Sequence, residues 1–184
     1  MSFTGSVPTG IAVGQSAMGA GLTRATLELG GKNSAGFLRD VDLDKAVNGI
    51  IEAGFLHSGP ICAAAERFFV HRSQIEAVMD KLAQRLSTLN IGSPLDERTK
   101  FGPVNYRQHQ LKLGKFFAKT RAENNTIIHG GNLIDRPGCN VEPTIILANS
   151  VYDTLLNEET FGPIATLLPS DSEEKLLALM NPTA

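Results

Sequence analysis

Apolar residues recur at helical spacing in two segments of the chain. The first segment carries Leu43, Ala46, Val47, Ile50 and Ile51, and Asp42 stands before it in the position of an N-cap residue. The second segment carries Ile75, Val78, Met79, Leu82, Leu86 and Leu89. Ser73 and Glu76 at the start of the second segment form the pattern of a capping box. The spacing therefore predicts two amphipathic helices, each with one buried face.

Short apolar runs bounded by turn residues predict the strands of a sheet. The runs are ATLELGG, NSAGFL, RFFVH, TIIHGG and VEPTIIL, which cover residues 25–31, 33–38, 67–71, 126–131 and 141–147. Pro143 suits the beginning of a strand or an edge strand, since proline cannot donate to the ladder. Further helices are predicted after the glycine turn at residues 3–10 and over residues 106–123 and 172–180. Because strands alternate with helices, we predict an α/β domain with a largely parallel sheet flanked by helices.

Composition describes a globular protein without a strong charge bias. The 184 residues carry a net charge of −2, which gives no electrostatic reason to bind nucleic acid or an anionic membrane. No apolar run approaches the roughly 20 residues that span a bilayer, and the N-terminus lacks the pattern of a signal peptide. The two cysteines form no disulfide framework. We therefore expect a cytoplasmic protein.

Two familiar ligand patterns are absent from the sequence. Gly5 and Gly10 have the spacing of a phosphate-binding P-loop, but Ile11 and Ala12 stand where that loop requires Lys and then Ser or Thr. No two of the four histidines have H-x-x-x-H spacing, and the two cysteines do not form a C-x-x-C pair. We therefore predict no metal site.

Cys62 lies on a turn between a helical pattern and a strand pattern, in the stretch FLHSGPICAAAERFFVH. A single cysteine is often a small buried core residue. A thiol held where backbone amides converge is instead suited to nucleophilic attack, and His57, five residues earlier, is a candidate base for it. The pattern alone leaves both interpretations open.

Glu28 is a charged residue inside the apolar run ATLELGG. A carboxylate buried there would be partly desolvated, which raises its pKa toward the range useful for a general base. The alternative is a strand residue whose side chain points outward into solvent. Both interpretations are open from the pattern.

Five motifs taken together resemble the aldehyde dehydrogenase superfamily in their order and spacing. They are FTGSVPTG, TLELGGKN, GPICAAAERFFVH, VEPTII and NEETFGPI, at residues 3–10, 26–33, 59–71, 141–146 and 157–164. The resemblance covers nearly the whole chain. Within the superfamily, the chain is similar to enzymes that act on aromatic aldehydes such as phenylacetaldehyde.

The resemblance implies a role for each matching residue. Cys62 matches the nucleophile that forms a thiohemiacetal and then a thioester, and Glu28 matches the general base that activates water for hydrolysis to a carboxylic acid. The positions that match the NAD or NADP site are Thr4, Gly5, Ser6, Leu29, Gly30, Glu159 and Phe161. Cys139 matches no functional position, and we interpret it as structural.

The chain departs from the family pattern in two ways. Pro60 stands where the family usually has Gln, so the loop that positions Cys62 loses an N–H donor and has one φ fixed. The chain also resembles a central portion of the family. Residues 1–25 match a remnant of the cofactor-binding domain, and residues 26–184 match a catalytic domain that is incomplete at its C-terminus.

These departures set the expected function of the chain. We expect it to be the catalytic portion of an NAD(P)-dependent aldehyde dehydrogenase that is a homo-oligomer at full length, with a small-molecule aldehyde as substrate. The portion alone is expected to have little or no activity. The alternatives are a folded remnant without turnover and a thiol esterase that needs no cofactor.

Overall fold

A computed structural model describes residues 1–181 and divides the chain into two compact units. The first unit is Met1–Gly31, and the second begins at Lys32. This boundary lies six residues after the one predicted from the sequence, because the strand Thr26–Leu29 pairs with Ser2–Gly5 and so belongs to the first unit. The assignment of a cofactor-binding part and a catalytic part stays a prediction.

The first unit is a strand, a helix and a second strand, and the helix and the second strand are those that the sequence predicts. Strand β1 is Ser2–Gly5, helix α1 is Val7–Gly19 and strand β2 is Thr26–Leu29, with the two strands parallel. The hydroxyl of Ser6 caps α1 by accepting from the Thr9 N–H. A Cβ atom at Gly10 would lie 2.4 Å from Leu29 Cδ2, so a larger residue here would displace the Leu29 side chain that packs between the helix and β2.

The second unit contains a five-stranded sheet with helices between and after its strands. In chain order its elements are β3 Asn33–Phe37, α2 Leu43–Phe55, β4 Ala65–His71, α3 Ile75–Ser87, α4 Arg107–Ala122, β5 Thr126–His129, β6 Thr144–Leu147, α5 Thr154–Asn157, β7 Ile164–Ser170 and α6 Glu173–Met180. The strand order is β3-β4-β7-β6-β5, and every neighbouring pair is parallel except β5 with β6. Within residues 1–181, no helix has the length and apolar character needed to cross a membrane.

Helices cover both faces of this sheet. On one face, α2 and α3 bury residues such as Ile50 and Leu82 against Phe68 and Leu167 of the sheet. On the other face, α4 packs through Leu113 and neighbouring residues against β6 and β7, and α6 packs against β3, β4 and β7. The predicted α/β fold with a largely parallel sheet flanked by helices is confirmed.

Two details differ from the sequence-based expectations. The central strand β7 is not among the predicted strands, and its sequence includes Pro169, a residue that argues against a central strand. The structure accommodates Pro169 because it is the second-to-last residue of β7. The predicted capping box of α3 is wrong: Gln74 is the N-cap residue, and Ser73 Oγ lies 2.9 Å from His71 Nδ1 instead.

Replacing Leu82 by Ala should strongly destabilise the second unit. The Leu82 side chain is fully buried between α3 and the sheet, so its truncation leaves a cavity that costs about 2–5 kcal/mol. Leu95→Ala is the matched control, because Leu95 is 94% exposed and its loss should change the free energy of unfolding by less than about 0.5 kcal/mol. Urea unfolding of both variants measures the difference, and equal losses would contradict this description of the core.

Candidate active site

The segment before Cys62 has an unusual backbone conformation. His57, Ser58 and Gly59 have φ values of 54°, 59° and 96°, so three successive residues adopt the left-handed region. This region is energetically unfavourable for non-glycine residues, so such a conformation persists only where surrounding contacts enforce it. The Ser58 hydroxyl supplies one such contact by donating to the Gly102 carbonyl at 2.9 Å. The chain reverses here between α2 and β4, and Cys62 follows.

Cys62 itself sits in a short hydrogen-bonded turn and is exposed. The Ala64 N–H donates to the Ile61 carbonyl at 2.9 Å, which closes a four-residue turn with Cys62 as its second residue. From outside the turn, the Asn33 side-chain amide donates to the Cys62 carbonyl at 2.7 Å. Exposure argues against the interpretation of Cys62 as a buried core residue. Its role as a nucleophile stays a prediction.

Pro60 is buried, and the turn does not need the N–H that proline lacks. The backbone donors of this segment are Gly59, which donates to the Leu56 carbonyl at 3.0 Å, Ile61, which donates to the Gly59 carbonyl at 2.7 Å, and Ala64. The loss of a donor at position 60 therefore removes none of the hydrogen bonds that shape the turn around Cys62.

Gly59 joins the Cys62 loop to the motif NEETFGPI. A Cβ atom at Gly59 would lie 2.2 Å from the carbonyl carbon of Gly162 and 2.7 Å from the nitrogen of Pro163. These distances leave no room for any side chain, so the two backbones meet directly. The loop that carries Cys62 and the loop that carries Glu159 and Phe161 therefore pack against each other.

The topology of the sheet explains why these loops meet. Strands β3, β4 and β7 are parallel neighbours, so the residues that precede them lie at the same edge of the sheet. Lys32 precedes β3, the Cys62 turn precedes β4, and Phe161 lies shortly before β7. Three motifs that are far apart in sequence thus converge at the amino-terminal edge of three adjacent strands.

A buried carboxylate lies at this edge, and the sequence analysis did not single it out. Glu66 is 5% exposed, forms an ion pair with Lys32, and accepts the N–H groups of Thr160 and Phe161 at 2.8 and 2.7 Å. Burial lowers the pKa of Lys32, and the charge of Glu66 acts against that shift. A charge inside an apolar run, the signal that pointed to Glu28, was also present at Glu66.

Glu159 and Phe161 lie on the loop that Glu66 binds. Glu159 is half-buried, and its carbonyl accepts from Lys112 Nζ at 3.2 Å. Phe161 has a φ of 54°, and its ring lies 6.2 Å from that of His109. Their predicted contact with the cofactor ribose stays a prediction.

The predicted site residues of the first unit lie together on its two paired strands. Thr4 pairs with Glu28, and Gly5 pairs with Leu29. Ser6 follows as the N-cap of α1, and Gly30 follows β2. Glu28 is exposed, which agrees with the alternative of an outward-facing strand residue. The structure thus forms two groups of site residues, one in each unit, and the approach of Glu28 to Cys62 stays a prediction.

His57, the other candidate base for the thiol, lines a cleft of about 600 Å³ together with Ser58, Phe101 and Val104. Cys62 is not among the residues that line this cleft, and within residues 1–181 no hydrogen bond joins His57 to Cys62. The geometry therefore gives no support to His57 as the base.

The remaining candidates for special chemistry have ordinary surroundings. Cys139 is half-buried against the cluster around α4, and its carbonyl accepts the Val104 N–H at 2.9 Å, which fits a structural role. In the part of the chain that the structure describes, no group of three His, Cys, Asp or Glu residues is placed to hold a metal ion.

Replacing Gly59 by Ala should disrupt the contact between the two loops. The new methyl group would overlap the backbone at Gly162, and a φ of 96° alone costs an alanine about 1–2 kcal/mol. The free energy of unfolding should fall by at least that amount. Gly49→Ala is the matched control. A Cβ atom at Gly49 would lie 3.8 Å from the Phe37 ring, an ordinary contact, and alanine is more stable than glycine within a helix by about 0.5–1 kcal/mol. If chemical unfolding shows that both substitutions change the free energy of unfolding in the same direction, the contact between the two loops is contradicted.

His109 should make the stability of the fold depend on pH. Burial lowers its pKa from the ordinary value of about 6.5, and Lys112 acts in the same direction, while Glu66 and the backbone of Thr160 and Phe161 act against it. The unfolded chain therefore binds the proton more readily, so stability is lost as the pH falls below about 6.5.

The variant His109→Gln lacks this titration. The stability of the wild type relative to His109→Gln should decrease between about pH 7.5 and 5.5, measured by urea unfolding at each pH. His57→Gln, which alters an exposed histidine, is the control. Parallel pH profiles for the wild type and His109→Gln would show that burial does not lower the pKa of His109.

Comparison with known proteins identifies the family. The model of the aldehyde dehydrogenase family matches residues 1–184. Among curated relatives, the betaine aldehyde dehydrogenase of Cereibacter sphaeroides is 36% identical over 183 residues, an alignment that covers 100% of this chain and 38% of that protein. The human mitochondrial 10-formyltetrahydrofolate dehydrogenase is 36% identical over 91% of this chain and 18% of its own length.

Solved structures agree with the sequence comparison. The NAD⁺ complex of the aldehyde dehydrogenase from Bacillus cereus has a TM-score of 0.94 and 31% identity, covering 99% of this chain and 37% of that one. The betaine aldehyde dehydrogenase from Staphylococcus aureus in complex with NAD⁺ has a TM-score of 0.94 and 32% identity, covering 98% of this chain and 37% of that one. The chain thus spans between a third and two fifths of these relatives' length, apart from the longer human protein. Over that span, its sequence and its fold both show that it belongs to the aldehyde dehydrogenase family.

Proposed function

We propose that this chain supplies the nucleophile of an NAD(P)-dependent aldehyde dehydrogenase, with Cys62 as the attacking thiolate. The observation that carries the proposal is the exposed Cys62 on a turn fixed by the backbone contact of Gly59 with Gly162. A nucleophile must be accessible to its substrate and rigidly aimed, and this turn meets both conditions.

The chemistry assigns a role to Cys62 at each stage. Its sulfur adds to the aldehyde carbonyl and forms a thiohemiacetal, whose oxygen needs a hydrogen-bond donor. Within residues 1–181, the Cys62 N–H is not paired with an acceptor, so it is available as one such donor. Loss of hydride from the thiohemiacetal leaves a thioester on Cys62. Water activated by Glu28 then releases the carboxylic acid and restores the thiol.

The residues of both units suit a nicotinamide dinucleotide. The N-terminus of α1 follows Thr4, Gly5 and Ser6, and the positive end of a helix dipole favours a phosphate group. The carboxylate of Glu159 can accept from ribose hydroxyl groups, and the ring of Phe161 can border the same sugar. When bound, the dinucleotide accepts the hydride. The two similar structures named above hold NAD⁺, which supports NAD over NADP for this chain.

The substrate class proposed is a small-molecule aldehyde. The curated relatives named betaine aldehyde dehydrogenase give no support to a preference for aromatic aldehydes, so betaine aldehyde and phenylacetaldehyde are both candidates for direct comparison. A cytoplasmic location and a homo-oligomer of the whole protein remain parts of the proposal.

The first test of the proposal is the reactivity of Cys62. Iodoacetamide should label Cys62 markedly faster than the half-buried Cys139 near neutral pH, because Cys62 is exposed on its turn. Peptide mass spectrometry after short reaction times measures both rates. Equal rates in the folded protein would contradict the nucleophile role.

The second test is turnover by a protein that contains this chain. NADH formation from each aldehyde should disappear in Cys62→Ala and persist in Cys139→Ala, and Glu28→Gln should slow release of the acid. Ester hydrolysis that needs Cys62 but no cofactor would favour a thiol esterase. A folded wild type with neither activity would favour a remnant without turnover.

A further inference from the structure

Glu66 is a buried charge to which the proposed reaction assigns no role. It lies in β4, where six successive residues from Ala65 to Val70 are buried, and it is 5% exposed. Removing a carboxylate from water is costly unless it is paired and hydrogen-bonded. Glu66 thus places a charge among buried residues, and the partners of its carboxylate indicate the role of that charge.

Three partners satisfy the carboxylate. The Lys32 amine pairs with Oε2, the Thr160 N–H donates to Oε2 at 2.8 Å, and the Phe161 N–H donates to Oε1 at 2.7 Å. Both side chains of the ion pair are largely buried, with 10% and 7% exposed. Lys32 is held in turn, because Arg67 Nε donates to its carbonyl at 2.9 Å.

The two hydrogen bonds from backbone N–H groups constrain a segment with an unfavourable backbone conformation. Phe161 adopts a φ of 54°, a conformation that non-glycine residues adopt at an energetic cost. The neighbouring residue Glu159 carries the carboxylate proposed to bind the cofactor ribose. A change in the conformation of residues 159–161 would therefore move that carboxylate away from the sugar.

The turn around Cys62 is held by different groups. Asn33 binds the Cys62 carbonyl, and the Ser58 hydroxyl binds the Gly102 carbonyl. Glu66 makes no hydrogen bond to this turn among the bonds found within residues 1–181. Loss of Glu66 should therefore affect the segment 159–161 far more than the reactivity of Cys62.

We propose that Glu66 is a positioning residue, whose buried ion pair with Lys32 holds residues 159–161 in the shape that presents Glu159 to the cofactor. The proposal rests on the proposed function and deepens it by separating cofactor binding from thiol chemistry. Glu66 touches neither substrate nor reacting atoms in this scheme, and it acts through the backbone of Thr160 and Phe161.

Glu66→Gln is the first test variant. The amide keeps the size of the side chain but loses the charge, and its NH₂ group cannot accept from a backbone N–H. Glu97→Gln is the matched control, because Glu97 is an exposed loop residue. The double variant Lys32→Met/Glu66→Gln removes both charges, so that no unpaired charge is left buried.

Amide hydrogen exchange, followed by NMR or by mass spectrometry of short peptides, is the first measurement. Thr160 and Phe161 should exchange faster in Glu66→Gln and in the double variant than in Glu97→Gln and the wild type. Unchanged exchange at these two amides would overturn the proposal. Acceleration spread evenly over the whole second unit in the double variant would also overturn it, since that result indicates a loss of stability alone.

Kinetics of the protein that contains this chain are the second measurement. The KM for NAD⁺ should rise by about tenfold or more in Glu66→Gln, as expected when a charged hydrogen-bonding group no longer reaches its partner, while alkylation of Cys62 stays within a few-fold of the wild-type rate. An unchanged KM for NAD⁺ would overturn the proposal even if exchange accelerates. Failure of the proposed function would show in the wild type itself, as an absence of Cys62-dependent NADH formation, whereas failure of this proposal shows only between wild type and variant.

Discussion

The backbone of Gly59 lies against the backbone of Gly162 and Pro163, at a distance that admits no side chain. Glycine is required at position 59 for two reasons: the close approach of the two backbones, and a φ of 96° that disfavours other residues. It joins the turn that carries Cys62 to the loop that carries Glu159 and Phe161. Because β4 and β7 begin directly after these loops and pair in parallel, the register of the central strands and the position of Cys62 depend on the same contact.

Around this contact, the second unit uses polar groups where a core normally uses apolar ones. Glu66 and Lys32 are buried as an ion pair, and the carboxylate also accepts two backbone amides. Such a pair adds little net stability compared with an apolar pair of the same size, but removing one partner is strongly unfavourable. The role proposed for the pair is conformational specificity, because hydrogen bonds to the carboxylate are directional and tie it to the backbone of Thr160 and Phe161.

The proposed site also has an unusual place in the sheet. Ligands of open α/β sheets are commonly bound beyond the carboxyl ends of the strands. Here the motifs of the second unit meet at the amino ends of β3, β4 and β7, where Lys32, the Cys62 turn and Phe161 enter the sheet. The fold matches that of the longer aldehyde dehydrogenase from Bacillus cereus over nearly the whole chain, so this arrangement of strands is not a local irregularity.

The sequence by itself determined the local elements of this protein. Helical spacing located α2 and α3, Asp42 was correctly placed as a cap, and five of the strands followed from short apolar runs, because each of these signals lies within a few residues. The ordered motifs also identified the family. Only the tertiary structure decided that β7 is the central strand, that Glu28 is exposed and that Glu66 is the buried carboxylate. Glu66 and Thr160 are 94 positions apart, and burial at such a distance depends on how the strands pair, which no local pattern of residues encodes.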